Sequence, residues 1–559
     1  MFICREIEDY LAWVKQYPQR VNNERKLLIK NIILPLLARE DITFDETTYR
    51  NCLKYCQHWY YPLFPYQKFC YAFVFMYDAE GYPVFDNFLF MMGRGNGKDG
   101  FMMPLMNFFQ TPLFGIKNYH VDIVANAEDP AHNSYLVVYN MLEANAAKVR
   151  GLFYWNKVEI INRETQSILR YNTSNAKTKY GKQTGAILFN EYHTYVDYSQ
   201  IKTFTSGLGK IKHPRTFIIT TNGEVREGPL DQMLELCRQI LNGELKHLRI
   251  FPFICKIDEE AEIDKPEAWE KANPSMEFLP ELKRQIQRDY EMMNVSPRLR
   301  NEFITMRMNL PRINAETAVV EFEKVIATNY LVEKLPDGSE RRIEREFPDF
   351  TDELTVVGLD YADLRDFASV RFIFKKDGMI YTKGMTWVNT RSPFYRDIKF
   401  DLASIGQNEF MDFVLVDAPT IDPELCAKYI YDHVDQYQIV KIVMDNYKFR
   451  LVRQAFEAYG FSVESKQNPF GAVRMIYNYS SVLAMTIPSI LFYLQEEKII
   501  AEKSAMWRWA INNTGLKVGS DGNMSFFKIE PRLRKNDPFM AFAAGMSAEQ
   551  LLDVRTIYI

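Results

Sequence analysis

The stretch Phe88–Phe101, reading FLFMMGRGNGKDGF, constrains the fold more than any other part of this 559-residue chain. Phe88, Leu89, Phe90, Met91 and Met92 form an apolar run that reads as a buried strand. The loop that follows is Gly93, Arg94, Gly95, Asn96, Gly97, Lys98, Asp99 and Gly100, and Phe101 to Phe109 is apolar enough to be a helix. A strand, a glycine-rich turn and a helix together make an anion cradle. Glycines let successive backbone N–H groups face one phosphate, and the helix N-terminus adds partial positive charge. Lys98 follows the last loop glycine, where a nucleotide-loop lysine reaches the outer phosphates. Against GxxxxGK[ST], the first glycine falls at Met92 and the hydroxyl residue at Asp99.

The remaining features bound the protein class. A chain this long predicts two or three domains. Apolar residues make up 47% and charged residues 25%, an ordinary globular balance, and the net charge of -4 excludes a basic coat over the whole surface while leaving room for a local basic channel. No window is apolar enough to span a membrane, and the charged N-terminal stretch does not read as a signal peptide. The seven cysteines are scattered. Cys52 and Cys56 lack partners for a zinc set, so free thiols in a reducing cytoplasm are expected.

Along the chain, residues 1–60 read as a helical segment, with Leu27, Leu28, Ile29, Ile32, Ile33, Leu36 and Leu37 at helical spacing. Phe64-Pro65-Tyr66-Gln67 comes shortly before the loop; Gln67 has the donor and acceptor to read an adenine edge, or it is an exposed residue in a helix-start turn. Residues 61–314 alternate strands and helices, which predicts a mostly parallel sheet. Within them Ala186–Phe189 is a buried strand ending in Asn190 and Glu191, where a nucleotide hydrolase places a magnesium-shell carboxylate and a water-polarising carboxylate. A third strand, Thr216–Ile219, ends in Thr220, Thr221 and Asn222, hydroxyls and an amide suited to sensing a γ-phosphate. The charged stretch from Pro229 to about 310 reads as a helical lid, and 315–353 as a linker with a turn at Pro336–Ser339. Residues 354–559 begin with a strand ending at Asp360, continue as an antiparallel meander over Ala368–Phe374 and Met379–Trp387, and then give a strand ending at Asp445, a helix over Phe449–Tyr459, a strand over Phe461–Ser465 and a helix starting at Asp537. That order is RNase H-like. Asp360, Asp445 and Asp537 supply hard oxygen ligands for two divalent ions, Mg²⁺ or Mn²⁺, of the kind that hydrolyse phosphodiesters.

Taken together, these segments resemble the large subunit of tailed-phage terminase, over nearly the whole chain. GRGNGKDG resembles the family's variant P-loop, ILFNEYHTY its acidic strand end and FTSGLGKIKHPRTFIITTNG the approach to its coupling motif. LDYADLRDFASV, IVMDNYKF and KNDPFMAFAAG resemble its nuclease segments, and Trp509–Asn513 its pattern before the last of them. The resemblance implies an α/β protein with an ASCE-type ATPase domain and an RNase H-like nuclease domain. It implies that Lys98 holds the β/γ-phosphates of ATP, that Gln67 contacts adenine and that Glu191 is the catalytic carboxylate. Thr220, Thr221 and Asn222 would couple hydrolysis to motion, and Asp360, Asp445, Asp537 and additionally Asp366 would hold nuclease metals. Implied partners are double-stranded DNA, a portal protein and a small terminase subunit, with the chain in a homo-oligomeric ring in the bacterial host cytoplasm. Asn190 replaces the family's Asp, and Asp99 its Ser or Thr. Either the charge has moved from 190 to 99, or hydrolysis is weak, or Asn190 was introduced to trap ATP. An arginine acting in trans is sought among Arg94, Arg150, Arg215 and Arg226. Two other functions fit the residues: an ATP-binding DNA-holding scaffold, and a host-defence ATPase-nuclease.

Overall fold

The computed structural model describes residues 4–172, 183–246, 248–295, 297–311, 318–336, 338–402, 412–446, 449–477, 479–519 and 523–553. The chain divides into two compact units, Met1–Arg312 with Lys334–Glu340, and Ile313–Glu333 with Arg341–Ile559.

In the first unit an eight-stranded sheet is built from β1 (Asn87–Met91), β2 (Val121–Val124), β3 (Phe153–Trp155), β4 (Glu159–Asn162), β5 (Ile168–Asn172), β6 (Ala186–Asn190), β7 (Arg215–Thr220) and β8 (Ile250–Ile254). Its spatial order is β8-β1-β7-β6-β2-β5-β4-β3. The six strands from β8 to β5 are parallel, and β5-β4-β3 closes the edge as an antiparallel meander. The central strands are apolar runs because helices cover both faces; every residue of β6 and β7 is buried. The strand ending in Thr220 thus lies between the strand feeding the glycine loop and the strand ending in Asn190. Helices α1 (Arg5–Gln16), α2 (Glu46–Trp59) and α3 (Pro65–Ala72) pack on one face, with Tyr10, Cys52, Cys56 and Phe69 in the core. All seven cysteines are free and buried.

The helical reading from Pro229 onward needs one correction. After α6 (Pro229–Leu241), Ile250–Ile254 is β8, paired in parallel with β1. Its IFPFI sequence is fully buried, and Pro252 is tolerated because β8 is an edge strand with no ladder partner on its outer side. Beyond it, residues 257–308 form a small helical body with its own core of Trp269, Met276, Ile286, Phe303 and Met308, containing α7 (Pro280–Met293).

The second unit holds a seven-stranded sheet of β9 (Leu354–Asp360), β10 (Ala368–Lys376), β11 (Met379–Asn389), β12 (Phe413–Val416), β13 (Gln438–Asp445), β14 (Val473–Ile476) and β15 (Ile499–Ala501). The order is β12-β11-β10-β9-β13-β14, with β15 added to β11. β9-β10-β11 is the antiparallel meander, and β13 runs parallel to β9. The strand expected at Phe461–Ser465 does not form. Val463 makes one bridge to Val473, and the strand beside β13 is β14. Around that bridge Glu464 N–H donates to Val473 O and Val473 N–H to Ser462 O, Arg474 and Lys441 pair with the Glu464 side chain, and Val473, Met475 and Ile476 are apolar and buried. Within the segment read as a linker, α8 (Phe322–Ala327) packs Val325 into the core containing Trp507. Asp337, in the expected turn, lies outside the described residues. A hairpin, β16 (Thr514–Val518) and β17 (Met524–Lys528), follows α9 (Tyr479–Gln495) and α10 (Ala505–Asn512), and α11 (Asp537–Met546) lies against β9, β10 and β13.

Candidate active sites

In the first unit, the loop from Gly93 to Gly97 joins β1 to α4, which runs Lys98–Phe108 and so begins earlier than the apolar run alone suggests. Gly97 caps α4 with φ +72°, a backbone that L side chains rarely adopt. The loop is pinned from inside by Asn96, which is buried. Its amide donates to Gly93 O and to Asn273 Oδ1, each at 2.8 Å, and Ser275 donates to its Oδ1 at 3.0 Å and to its backbone O at 2.9 Å. The Gly93 and Arg94 N–H groups donate to Ala272 O and Met306 O in the helical body. The N–H groups of Lys98, Asp99 and Gly100 open α4 and have no acceptor within it, the arrangement by which a helix N-terminus can bind an anion. Lys98 Nζ donates to Met92 O at 3.0 Å and Gly93 O at 3.3 Å, folded back on the loop, and burial pulls its ammonium down to about 8.

At the end of β6, Asn190 Nδ2 donates to Asp99 Oδ1 at 3.1 Å and to Ser134 Oγ at 2.8 Å, while Ser134, on α5 (Glu128–Ala144), donates to the same Asp99 oxygen. The two residues that depart from the motif therefore touch each other. Glu191 follows with φ +49°, a strained position for a non-glycine residue and one that clusters at functional sites. Its N–H donates to Asn190 Oδ1 at 2.7 Å, and its O accepts from Thr194 N–H and Oγ1. His193 bridges from this turn to the end of β7. Its N–H donates to Thr220 Oγ1 at 3.0 Å, and its Nδ1 lies 3.2 Å from Thr220 Oγ1 and 3.5 Å from Thr221 Oγ1. Burial, then the cations Lys98, Arg94 and Arg226, push the His193 imidazole down to about 4, so it is neutral at physiological pH. Asn222 exchanges two bonds with Asn309: the Asn222 N–H donates to Asn309 Oδ1 at 2.9 Å, and the Asn222 amide donates to Asn309 O at 3.1 Å.

Gln67 is buried at the start of α3, with Oε1 accepting from Phe64 N–H at 2.9 Å and Nε2 donating to Tyr66 Oη at 3.4 Å. It stabilises a helix start, as one alternative had it, though from inside the core. Of the arginines, Arg215 opens β7 at the end remote from Thr220 and is fully buried, donating to Val74 O, Tyr77 Oη and His213 O. It braces the fold and is unavailable to a neighbouring protomer. Arg226 is buried against Asn222 Oδ1, Gly223 O and Asp231, whereas Arg94, paired with Glu302, and Arg150 are exposed.

In the second unit, β9 and β13 pair in parallel with Leu359 opposite Met444, so Asp360 and Asp445 close adjacent strands at the same end. Asp537 begins α11, which lies so close to β9 that a Cβ on Gly358 would sit 1.9 Å from Ala541 O. Only glycine admits that approach, which brings the α11 N-terminus to Asp360. Burial and then the negative charges of Asp537, Asp366 and Asp445 push the Asp360 carboxyl up to about 8. Burial also raises Asp537. Burial acts to raise Asp366 as well, but Lys528 and Lys535 outweigh it and hold its carboxyl below the usual range. Lys528 Nζ lies 2.9 Å from Asp537 Oδ1 and 3.0 Å from Asp366 Oδ1. Asp537 Oδ2 is buried without a hydrogen-bond partner.

The donors fit hard divalent ions: all are oxygen, they lie at one end of the sheet, and Asp537 Oδ2 is buried without a hydrogen-bond partner. Among the described residues no three acidic side chains already form a ready ligand set, and the Lys528 ammonium lies between two of them. Asn273, Ser275, Ser134, His193, Asn309, Lys528 and Lys535 carry site contacts that the sequence reading did not assign. His193 and Lys535 stand in quoted motifs; the others lie outside them.

Comparison with known proteins places the chain in a family. The family profile described as "Terminase large subunit, ATPase domain" matches residues 65–239, and the profile "Terminase large subunit, endonuclease domain" matches residues 244–548. The terminase large subunit of Lactococcus phage p2 is 23% identical over 509 residues, covering 87% of this chain and 86% of that protein, and the one from Lactococcus phage SK1 matches to the same extent. Among solved structures, the large terminase of bacteriophage HK97 aligns with a TM-score of 0.48 at 14% identity, covering 90% of this chain and 100% of that one. No helix among the described residues is long and apolar enough to cross a membrane. The two profiles together take in most of the sequence, ATPase domain ahead of endonuclease domain, and the chain belongs to the terminase large subunit family.

Proposed function

We infer that this chain is an ATP-driven motor that moves double-stranded viral DNA into a procapsid and an endonuclease that cuts the concatemer. The observation that carries the motor reading is the meeting of Lys98, Asp99, Asn190, Glu191 and the Thr220–Asn222 turn at one end of three adjacent parallel strands. The nuclease reading rests on Asp360 and Asp445 closing adjacent parallel strands at one end, with Asp537 at the start of the helix packed on β9 and Asp366 joined to Asp537 through Lys528.

For the motor, Lys98 would leave Met92 O and Gly93 O and turn its ammonium to the outer phosphates of ATP. The first-turn N–H groups of α4 would bind the remaining phosphate oxygens. Glu191 would orient and polarise the attacking water. Asp99, held by Asn190 and Ser134, would supply the carboxylate that the family places at position 190. Thr220 and Thr221 would feel loss of the γ-phosphate through His193, and Asn222 would pass it to the helical body through Asn309. Gln67 can offer adenine its amide only by releasing Phe64 N–H. In the nuclease, Asp360, Asp445 and Asp537, with Asp366, would hold Mg²⁺, or Mn²⁺ in its place. When bound, such ions activate a water and stabilise the leaving oxygen. DNA contacts would be mostly to phosphates and strongly salt-dependent.

The working assembly we propose is a homo-oligomeric ring at a portal protein, in the cytoplasm of a bacterial host, with a small terminase subunit selecting DNA. ATP hydrolysis and DNA cleavage measured together, with and without double-stranded DNA, test the reading. DNA-stimulated turnover with divalent-dependent cutting supports it, while ATP binding without turnover would leave a DNA-holding scaffold instead.

A further inference from the structure

Two lysines stand inside the acidic cluster of the second unit, and their settings differ. Lys535 is buried at 1% exposure; its ammonium lies 2.6 Å from Asp366 Oδ1 and donates to Pro531 O at 2.8 Å, so a backbone carbonyl fixes it. Lys528 bridges Asp366 and Asp537 at 3.0 and 2.9 Å. It ends β17, which belongs to the two-stranded β16-β17 hairpin and not to the central sheet, so it can withdraw without disturbing β9 or β13. The oxygen it holds, Asp537 Oδ1, belongs to the carboxylate whose other oxygen is buried without a partner. An ammonium about 2.9 Å from a carboxylate oxygen and a divalent ion at about 2.1 Å compete for the same lone pairs, and each repels the other.

We propose that Lys528 is a built-in counter-cation that holds the place between Asp366 and Asp537 in the metal-free nuclease and must leave Asp537 for a divalent ion to bind, so that the β16-β17 hairpin sets the metal affinity of the site. This rests on the metal reading of the acidic cluster. Lys535, anchored to Pro531 O, is by contrast a positioning residue for Asp366.

The test is Mn²⁺ binding to the full-length chain, followed by loss of the free-ion electron paramagnetic resonance signal, alongside melting of the metal-free protein. Sites are assigned to the cluster by their loss in Asp360→Ala. Lys528→Met should bind Mn²⁺ roughly tenfold more tightly than the parent, a typical coupling between two linked sites. It should also melt earlier without metal and regain the loss when Mn²⁺ is added. Lys528→Arg, which keeps the charge and the fold, should bind Mn²⁺ more weakly than Lys528→Met. Lys535→Met should bind more weakly than the parent, because Asp366 loses its anchor. Lys528→Met binding with parental or lower affinity, or Lys528→Arg matching Lys528→Met, would overturn the counter-cation. A parent whose Mn²⁺ binding is unchanged by Asp360→Ala would instead overturn the metal reading beneath it.

Discussion

The contact between Asn190 and Asp99 makes a strong prediction about charge. Asn190→Asp places a second carboxylate about 3 Å from Asp99, where Asn190 Nδ2 now stands at 3.1 Å. At an effective dielectric of about 20, two unit charges that close repel by about 5 kcal/mol. Protonating one of them at pH 7 from an ordinary pKa near 4 costs about 4 kcal/mol, so the empty site takes up a proton and the deficit settles near that lower figure. The raised pKa belongs to the folded state. The deficit is therefore absent below about pH 4 and grows by about 1.4 kcal/mol per pH unit up to neutrality. At pH 5 it should have shrunk to about 1.5 kcal/mol. Hydrogen exchange of α4 and β6 amides, without Mg²⁺ or nucleotide at pH 5 and pH 7, reads this locally, avoiding a two-state treatment of a two-domain chain. Asp99→Ser in the same chain removes the second charge and should restore protection, and DNA-stimulated ATP hydrolysis should fall in Asn190→Asp and recover in the double variant. Parental protection of Asn190→Asp at pH 7, a deficit that ignores pH, or additive effects of the two changes would refute a charge moved from position 190 to position 99.

Four further outcomes are expected. Lys98→Ala should abolish DNA-stimulated ATP hydrolysis and Glu191→Gln should keep nucleotide binding while stopping turnover, with DNA cleavage retained in both; parental turnover in Lys98→Ala would remove the cradle assignment. Because the Lys98 ammonium sits at about 8 in the free site and phosphate favours its charged form, ATP binding above pH 8 should take up a proton, visible as a buffer-dependent calorimetric enthalpy that Lys98→Ala lacks. Asp360→Ala, Asp445→Ala and Asp537→Ala should each lose most DNA cleavage with ATP hydrolysis intact, and Ca²⁺ should support the parent poorly; normal cutting by all three variants would sink the nuclease assignment. Asn309→Ala leaves Asn222 N–H without its acceptor and should slow DNA-stimulated hydrolysis more than ATP binding, whereas an equal loss of both would point to simple misfolding.

What was legible in the sequence follows from the range of the forces involved. Strands such as β1, β6, β7 and β9 are local apolar runs; β1 runs into the glycine loop and the other three end in the polar residue that marks the site, so both the strand and its chemical end were readable. β8 was missed because a proline inside IFPFI argues against a strand unless the run is known to lie at an edge, which only the sheet order reveals. Phe461–Ser465 has the apolar alternation of a strand but makes a single bridge, because Val473–Ile476 takes the place beside β13, and only the fold reveals that competitor. Asn96 looked like one more loop residue, yet its side chain holds the cradle's shape through Asn273 and Ser275, almost two hundred residues away in the chain. Lys528 carries no motif, and Lys535 opens one without a role assigned to it, since a cation among acids can be recognised only after the fold brings them together.

The arrangement of the first unit gives coupling a physical route. β7 lies between β1 and β6, so the Thr220–Asn222 turn borders both the phosphate loop and Glu191. One side of that turn is held by His193, which is neutral and bonded to Thr220, and the other by Asn309, whose backbone is in the left-handed region at φ +58°. The helical body that Asn309 directly follows also receives the Gly93 and Arg94 N–H groups through Ala272 O and Met306 O. Loop and turn are therefore fastened to the same small body at two separate points. A shift of the loop around a γ-phosphate and a shift of the turn beside Glu191 cannot occur independently without breaking one set of buried hydrogen bonds, each costly to leave unmade. In the proposed motor, two attachments to one body would convert a small shift at the phosphate into a rotation of that body, because packed interfaces move between discrete arrangements and do not deform continuously.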